Sequence, residues 1–163
     1  MVVRHAKAEP FASSDHARAL TDRGVRDATA LGAYLREQEV VPDHAVVSTA
    51  ERARGTWAAM QEALQCDAAV EYDGAVYSGS TDVLLEALRL VPRHAEVVVL
   101  VGHQPSVGYL AHLLDDGAGD HDALHSMLLG FRTSSAAVFD VGVAWDGLDR
   151  ECGRLVDFRS GSD

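Results

Sequence analysis

The sequence contains few cysteines, few basic residues and no long apolar run, and each shortage excludes a class of protein. Only two cysteines, Cys66 and Cys152, occur in 163 residues, and they are too far apart for a metal-binding motif. One disulfide between them is an open alternative, but two free thiols in a reducing compartment fit better. No apolar stretch approaches the roughly 18 residues of a membrane helix, and no signal peptide precedes Arg4. These shortages predict a cytoplasmic protein without a membrane partner.

Basic residues are outnumbered by acidic ones. The chain has 14 lysines and arginines against 25 aspartates and glutamates, which gives a formal net charge of −11. A surface of this charge repels phosphate backbones, so we expect no nucleic-acid partner. Any site for an anion must then be a local exception, built from a few well-placed arginines.

Apolar β-type runs alternate with helical patterns along the whole length. No repeat, low-complexity block or linker divides the chain, so we expect a single domain over residues 1–163. The unbroken apolar run at 96–102 predicts a strand buried on both faces, as in a parallel sheet. The alternation predicts an α/β fold: a three-layer α/β/α sandwich around a mostly parallel central sheet.

The predicted elements follow from these patterns. Strands are predicted at 2–4, 45–48, 70–72, 96–102, 135–142 and 154–158. Helices are predicted at 22–38, 51–64, 81–90 and 106–114, with Thr21 as the N-cap of the first. The polar, glycine-rich stretch 115–125 is predicted to be a loop. Trp57, Met60 and Leu64 recur at helical spacing, which favours a core position over a ligand platform.

Side chains that can bind a ligand or take part in a reaction follow three of these strands. Arg4 and His5 end the first strand, Ser48 and Arg52 follow the second, and His103 follows the central one. Ligands of open α/β sheets bind outside the carboxyl ends of the strands. Each residue alone has a plain structural interpretation, as a solvated loop, a turn or a surface charge. Their joint occurrence at three strand ends predicts one constellation of two arginines and two histidines.

Phosphoryl transfer is the chemistry that such a set suits. A guanidinium binds phosphate oxygens in bidentate fashion and keeps its charge. A neutral imidazole can act as a nucleophile and form a covalent intermediate. A second imidazole can hydrogen-bond the phosphoryl oxygens in the transition state. No carboxylate cluster with metal-ligand spacing accompanies these residues, so we expect neither a metal nor a cofactor.

Four short motifs occur in order along the chain: RHA at 4–6, LTDRG at 20–24, STAERARGTW at 48–57 and GHQP at 102–105. In order and spacing they resemble the histidine phosphatase superfamily, also called phosphoglycerate-mutase-like. The short length, the RHAKAEP and ARALT stretches and FRTSSAAVFDV near the end are similar to its small SixA-type phosphohistidine phosphatase branch. The resemblance covers most of the chain and implies a phosphoglycerate-mutase-like fold.

The resemblance also implies a role for each matching residue. His5 would be the phosphorylated nucleophile, Arg4 and Arg52 would hold the phosphate, and His103 would stabilise the transition state. Arg18, within ARALT, is a further candidate for binding phosphate or substrate, with a solvated loop arginine as the equal alternative. Ser48 is expected to support the backbone, and Lys7 to be a surface charge near the pocket.

One feature of the family pattern is missing. Larger members carry a glutamate after the third strand that protonates the leaving group. Here Glu71, Asp73 and Asp82 lie in that region, and none matches convincingly. The small branch typically lacks this acid, so its absence supports that assignment and leaves the proton donor unassigned.

The prediction is therefore a metal-independent phosphatase that acts through a phosphohistidine on His5. The favoured substrate is phosphohistidine on a protein. The alternatives are a phosphatase for a small metabolite or another phosphoprotein, and a non-catalytic module that binds a phosphorylated ligand. A zinc site at His121 and His125, spaced four residues apart beside two aspartates, is a minor further possibility.

Overall fold

Six strands and six helices alternate along the chain in the structure, a computed structural model that describes residues 1–161. The strands are β1 (Val2–Arg4), β2 (His44–Ser48), β3 (Ala69–Asp73), β4 (Val98–Gly102), β5 (Ala136–Val141) and β6 (Gly153–Arg159). The helices are α1 (Asp22–Glu37), α2 (Glu51–Leu64), α3 (Ala75–Ser78), α4 (Thr81–Arg89), α5 (Ser106–Leu114) and α6 (His121–Leu128). A short 3₁₀ turn spans Trp145–Gly147.

All six strands form one sheet in the order β3-β2-β4-β1-β5-β6. The four strands β3, β2, β4 and β1 are parallel, whereas β5 pairs antiparallel with both β1 and β6. The chain first moves from β1 outward to β3 and then returns to insert β4 between β2 and β1. This reversal makes the carboxyl ends of β1, β2 and β4 the natural place for a ligand.

Alternate residues of each strand enter two separate cores, one on each face of the sheet. Val2, Val46 and Leu100 pack with α4, α5 and α6. Val3 and Val47 pack on the other face with α1 and α2. The three-layer α/β/α sandwich is confirmed, and β4 is buried at every position, as its apolar run predicts. Trp57, Met60 and Leu64 are core residues of the second cluster, also as predicted.

Helix α1 begins as predicted but presents a slightly different face. The Thr21 hydroxyl accepts a hydrogen bond from the Gly24 N–H at 3.0 Å and caps the helix. Gly24 is buried, whereas Val25, which the helical pattern places on the apolar face, is 45% exposed. The reason is steric: a Cβ at Gly24 would overlap the backbone carbonyl of Lys7, so only glycine allows this close approach.

The prediction of a loop over 115–125 is wrong from residue 121 onward, because α6 begins at His121. The Asp120 carboxylate accepts hydrogen bonds from the N–H groups of Asp122 and Ala123, which is an N-cap. The first turn is polar and only Ala123 and Met127 are buried, so the apolar periodicity is too weak to reveal the helix. Two further short elements, α3 and the 3₁₀ turn, are also absent from the sequence prediction.

No helix within residues 1–161 combines the length and the apolar character needed to cross a membrane.

Candidate active site

The carboxyl ends of β1, β2 and β4 bring the predicted site residues together. Arg4 is the last residue of β1, and the N–H of His5 bonds the carbonyl of Gly102, the last residue of β4, at 3.0 Å. The His5 and His103 rings are therefore neighbours, with centroids 4.9 Å apart. Arg52 comes from the first turn of α2, which begins just past the end of β2.

His5 is held in one tautomer. Its Nδ1 lies 2.7 Å from the carbonyl oxygen of Ala6, which can only accept, so Nδ1 carries the proton. The other ring nitrogen, Nε2, is then unprotonated, and its lone pair accepts a hydrogen bond from Arg52 Nε at 3.3 Å. A neutral imidazole with an oriented lone pair beside a guanidinium is the arrangement that a nucleophile for an anionic phosphoryl group requires.

His103 is oriented by Ser48, a residue that we expect from the sequence to support the backbone. The Ser48 hydroxyl is fully buried, accepts from the Ala50 N–H at 3.3 Å and lies 2.7 Å from His103 Nε2. With its oxygen accepting from Ala50, the hydroxyl can donate to Nε2, which leaves the proton on His103 Nδ1. Among the described residues that buried Nδ1 has no hydrogen-bond partner. It can donate to an oxygen of a bound phosphoryl group.

Arg52 is buried and held by Asp15, a residue that sequence reasoning missed. Arg52 Nη1 donates to the Asp15 carbonyl at 2.6 Å, and Nη2 donates to its Oδ2 at 2.9 Å. Arg18 donates to the other oxygen, Oδ1, at 2.8 Å and to the Glu9 carbonyl at 2.7 Å. The loop between β1 and α1 thus lies across the pocket, with Arg18 beside Arg52. The prediction that Arg18 contacts substrate stays a prediction.

Burial and positive charge keep both histidines neutral. The pKa of His5 is lowered to about 4, chiefly by burial; the hydrogen bond to the Ala6 carbonyl opposes the shift, and the charges of Arg52, Arg4 and Arg18 add to it. Burial lowers the pKa of His103 to about 3, with His5 and Arg52 as lesser causes. The pKa of the Asp15 carboxyl is lowered to about 2, because Tyr77 and Arg52 donate hydrogen bonds to its ionised form. At neutral pH the site therefore holds neutral imidazoles and an ionised carboxylate.

Two aromatic side chains complete the wall beside His103, and neither was identified from the sequence. The Tyr77 ring meets His103 edge-on at 5.5 Å and His16 edge-on at 4.9 Å. Its hydroxyl donates to Asp15 Oδ2 at 2.8 Å. His16 Nε2 lies 3.0 Å from the Thr49 hydroxyl, which fixes the loop to the end of β2. The rule that ligand-binding residues follow parallel strands could have found Tyr77, because α3 directly follows β3.

The remaining candidates have other partners. Arg4 Nη1 donates to the Phe131 carbonyl at 2.9 Å, which ties the end of β1 to the segment after α6. Lys7 is exposed. Of the three candidate acids, Asp73 bonds the Ala75 N–H, Glu71 lies 4.0 Å from His44, and Asp82 is exposed in the first turn of α4.

The possible zinc site gains no third ligand. His121 and His125 lie one turn apart on α6. No group of three or more histidine, cysteine, aspartate or glutamate side chains within residues 1–161 is arranged to hold a metal ion. The cationic groups at the strand ends are arginines, and they can neutralise a phosphate by hydrogen bonding. Fold and site together define a class: an α/β protein whose sheet edge suits phosphoryl transfer to histidine.

Comparison with known proteins gives the family. The model of the histidine phosphatase superfamily (branch 1) matches residues 1–76. Two curated relatives, both of uncharacterised function, align with nearly the whole chain. The protein from Mycobacterium leprae is 30% identical over 161 residues, and the one from Mycobacterium tuberculosis H37Rv is 33% identical over 158 residues. Each alignment covers 96% of this chain and 98% of the relative.

Solved structures agree with this result. A protein from Nakamurella multipartitia, assigned as phosphohistidine phosphatase SixA, is 32% identical with a TM-score of 0.87, over 99% of this chain and 95% of that one. Another so assigned, from Agrobacterium tumefaciens, is 28% identical with a TM-score of 0.77, over 97% and 94%. The chain belongs to the histidine phosphatase superfamily, in its SixA-type branch. This membership supports a phosphatase activity.

Proposed function

We propose that the chain is a single-domain, metal-independent phosphatase that transfers a phosphoryl group first to Nε2 of His5 and then to water. The observation that carries the proposal is the fixed tautomer of His5, whose Nε2 lone pair faces the Arg52 guanidinium at 3.3 Å. The lone pair attacks phosphorus, and the bond to the leaving group breaks with its electron pair. Water then attacks the phosphohistidine and returns the neutral imidazole.

The cationic and hydrogen-bonding groups have separate tasks in this reaction. Arg4 and Arg52 bind the phosphoryl oxygens and balance their charge, which a fixed guanidinium does without a metal ion. His103 donates from Nδ1 to the oxygens whose charge shifts in the transition state. Ser48 acts through His103: when its hydroxyl donates to Nε2, the proton of the neutral ring is on Nδ1, where it can reach the phosphoryl group.

The proposed substrate is phosphohistidine on a protein. Support comes from the two solved structures assigned as phosphohistidine phosphatases. It also comes from chemistry, since Asp15, the carboxylate that bonds Arg52, is held ionised by its partners and is no proton donor. An imidazole that leaves a phosphoramidate needs far less protonation than an alkyl alcohol. The cytoplasmic location predicted from the sequence stays a prediction.

Replacing the nucleophile tests the mechanism. His5→Ala should lower kcat/KM for a phosphohistidine peptide by at least about 10³-fold, because the covalent route is lost. Rapid acid-free quenching with ³²P-labelled substrate should give an acid-labile, alkali-stable label on the wild type and none on this variant. The activity of the wild type should survive EDTA.

The matched control removes a histidine outside the site. His112 is exposed on α5, and His112→Ala should keep both turnover and label. A label on serine or aspartate, or activity that EDTA abolishes and a divalent ion restores, would refute the mechanism. Binding of vanadate without turnover of phosphohistidine or aryl phosphates would identify a module that only binds phosphorylated ligands.

A further inference from the structure

Tyr77 has a hydroxyl at the exposed rim of the site that the reaction described so far does not use. The residue lies on α3, directly after β3, and is partly exposed. Its ring is fixed on two sides by the edges of His103 and His16, and the Arg52 guanidinium carbon lies 5.8 Å from the ring centroid. A phenol ring held by these contacts beside His103 and Arg52 has a defined direction for its O–H bond.

The contacts of the Asp15 carboxylate show which groups an anionic oxygen contacts beside Tyr77. Its Oδ2 accepts from Arg52 Nη2 at 2.9 Å and from the Tyr77 hydroxyl at 2.8 Å. The Nε of the same guanidinium lies 3.3 Å from His5 Nε2. His5 Nε2 and Asp15 Oδ2 thus contact two different nitrogens of one rigid, planar group, and the Tyr77 hydroxyl donates to that same Oδ2. A substrate bound along this guanidinium has an oxygen within reach of each.

The in-line geometry of displacement determines which substrate atom lies near the Tyr77 hydroxyl. The attacking and leaving atoms lie on opposite sides of phosphorus. If Nε2 of His5 attacks, the atom on the far side of phosphorus is the one that departs. We propose that Tyr77 is a further catalytic residue, whose hydroxyl donates a hydrogen bond to the leaving atom of the substrate. This inference rests on the proposed function, because it takes His5 as the nucleophile.

The step conserves atoms and electrons. The His5 Nε2–phosphorus bond forms, the bond from phosphorus to the leaving atom breaks, and the electron pair of that bond stays on the leaving atom. Tyr77 keeps its proton and stabilises the new lone pair by hydrogen bonding. The acceptor is a ring nitrogen when imidazole leaves and an oxygen when a phenolate leaves, so one hydroxyl serves both substrates.

The surroundings keep this hydroxyl protonated. The hydrogen bond to Asp15 is the main cause that raises the pKa of Tyr77, and desolvation acts in the same direction. Asp15 itself has to release the hydroxyl when substrate enters. Its side chain is 54% exposed, so the carboxylate has room to turn outward. Its backbone carbonyl can still hold Arg52 Nη1.

Leaving-group dependence distinguishes this role from a structural one. Tyr77→Phe removes only the hydroxyl, and kcat/KM would be measured with 4-nitrophenyl, 4-chlorophenyl and phenyl phosphate. Charge on the departing oxygen matters more as the phenol becomes less acidic. We expect a loss of about 10- to 100-fold with phenyl phosphate, the range of a hydrogen bond to a charged group, and less than about 3-fold with 4-nitrophenyl phosphate. The matched control is Tyr72→Phe on β3, where the ring stacks on Arg54 and is 47% exposed.

The outcomes separate the two proposals. A steeper dependence on leaving-group pKa in Tyr77→Phe, with Tyr72→Phe like the wild type, supports the inference. An equal loss with all three substrates, or no loss, overturns it and leaves the His5 mechanism standing. A wild type that forms no phosphohistidine and turns over none of the three overturns both.

Discussion

At the scale of single residues, Asp15 places a negative charge beside Arg52, where the proposed mechanism binds an anionic substrate. Its carboxylate stays ionised because Arg52 and Tyr77 hydrogen-bond the charged form. A phosphoryl dianion must displace this oxygen from Arg52 Nη2 before it can use the full guanidinium. In the proposed mechanism we therefore expect the Asp15 carboxylate to lower the affinity for phosphate, while its backbone carbonyl keeps the arginine in place.

Neutralising this charge should tighten the binding of a phosphate analogue. Asp15→Asn keeps the backbone contact and the side-chain size, so we expect inhibition by vanadate to strengthen about 3- to 10-fold, which corresponds to roughly 0.7–1.4 kcal/mol. Asp67→Asn, an exposed site before β3 at the opposite edge of the sheet, is the control for net charge and should change nothing. Weaker inhibition in Asp15→Asn would mean that the carboxylate orients Arg52 rather than competes with the ligand.

At the scale of elements, one glycine determines how closely α1 packs against the loop that follows β1. Gly24 lies against the carbonyl of Lys7, two residues after His5, and Thr21 N–H also bonds that carbonyl at 3.0 Å. In an open helix position, glycine to alanine would stabilise the helix by about 1 kcal/mol. Here the added methyl group meets backbone, which cannot rotate away.

Gly24→Ala should therefore destabilise the protein, with a loss of about 2 kcal/mol or more in the free energy of unfolding, in the range of overpacked sites. It should also lower activity, since the loop carries His5 at its start. Urea unfolding and steady-state kinetics would measure both effects. Gly142→Ala, where a Cβ meets no atom within 4 Å, should be nearly neutral in both. A stabilised and fully active Gly24→Ala would show that α1 does not fix the loop.

The elements also show which parts of the fold and site can be predicted from sequence. Strand β4 was predictable because burial on both faces requires an unbroken apolar run, and His103 follows its last residue. Helix α6 was not, because its polar first turn masks a narrow buried face. Asp15 is hydrogen-bonded to Tyr77, which is 62 positions away in the sequence, and to Arg52, which is 37 positions away. Contacts between such distant positions leave no local periodicity, whereas residues at strand ends are brought together by the sheet itself.

At the scale of the whole molecule, the neutral histidines His5 and His103 link stability to pH. Both His5 and His103 have a folded-state pKa well below the ordinary 6.5, at about 4 and about 3. In the unfolded chain they take up protons near pH 6.5, whereas in the folded protein they do not. The unfolded state thus binds more protons in this window. The stabilisation is fully present above pH 6.5 and is lost as pH falls towards the folded values.

We expect the free energy of unfolding of the wild type to fall between about pH 6.5 and pH 4, by up to about 1.4 kcal/mol per pH unit for each histidine. The double variant His5→Asn, His103→Asn should show a shallower slope in urea unfolding across this range. His112→Asn, at an exposed position, should keep the slope of the wild type. Equal slopes in the double variant and the wild type would contradict the neutral state of the two buried imidazoles.

The small antiparallel bridge between Ala8 and Leu20 closes the loop that carries Asp15, His16 and Arg18. The sheet itself positions the other site residues: Arg4 ends β1, Ser48 ends β2, His5 directly follows β1 and His103 directly follows β4. Changes elsewhere in this loop should leave the strand register intact, so the stretch can vary in sequence and length more freely than the strands do. Asp15 is the exception, because it holds Arg52 by two hydrogen bonds.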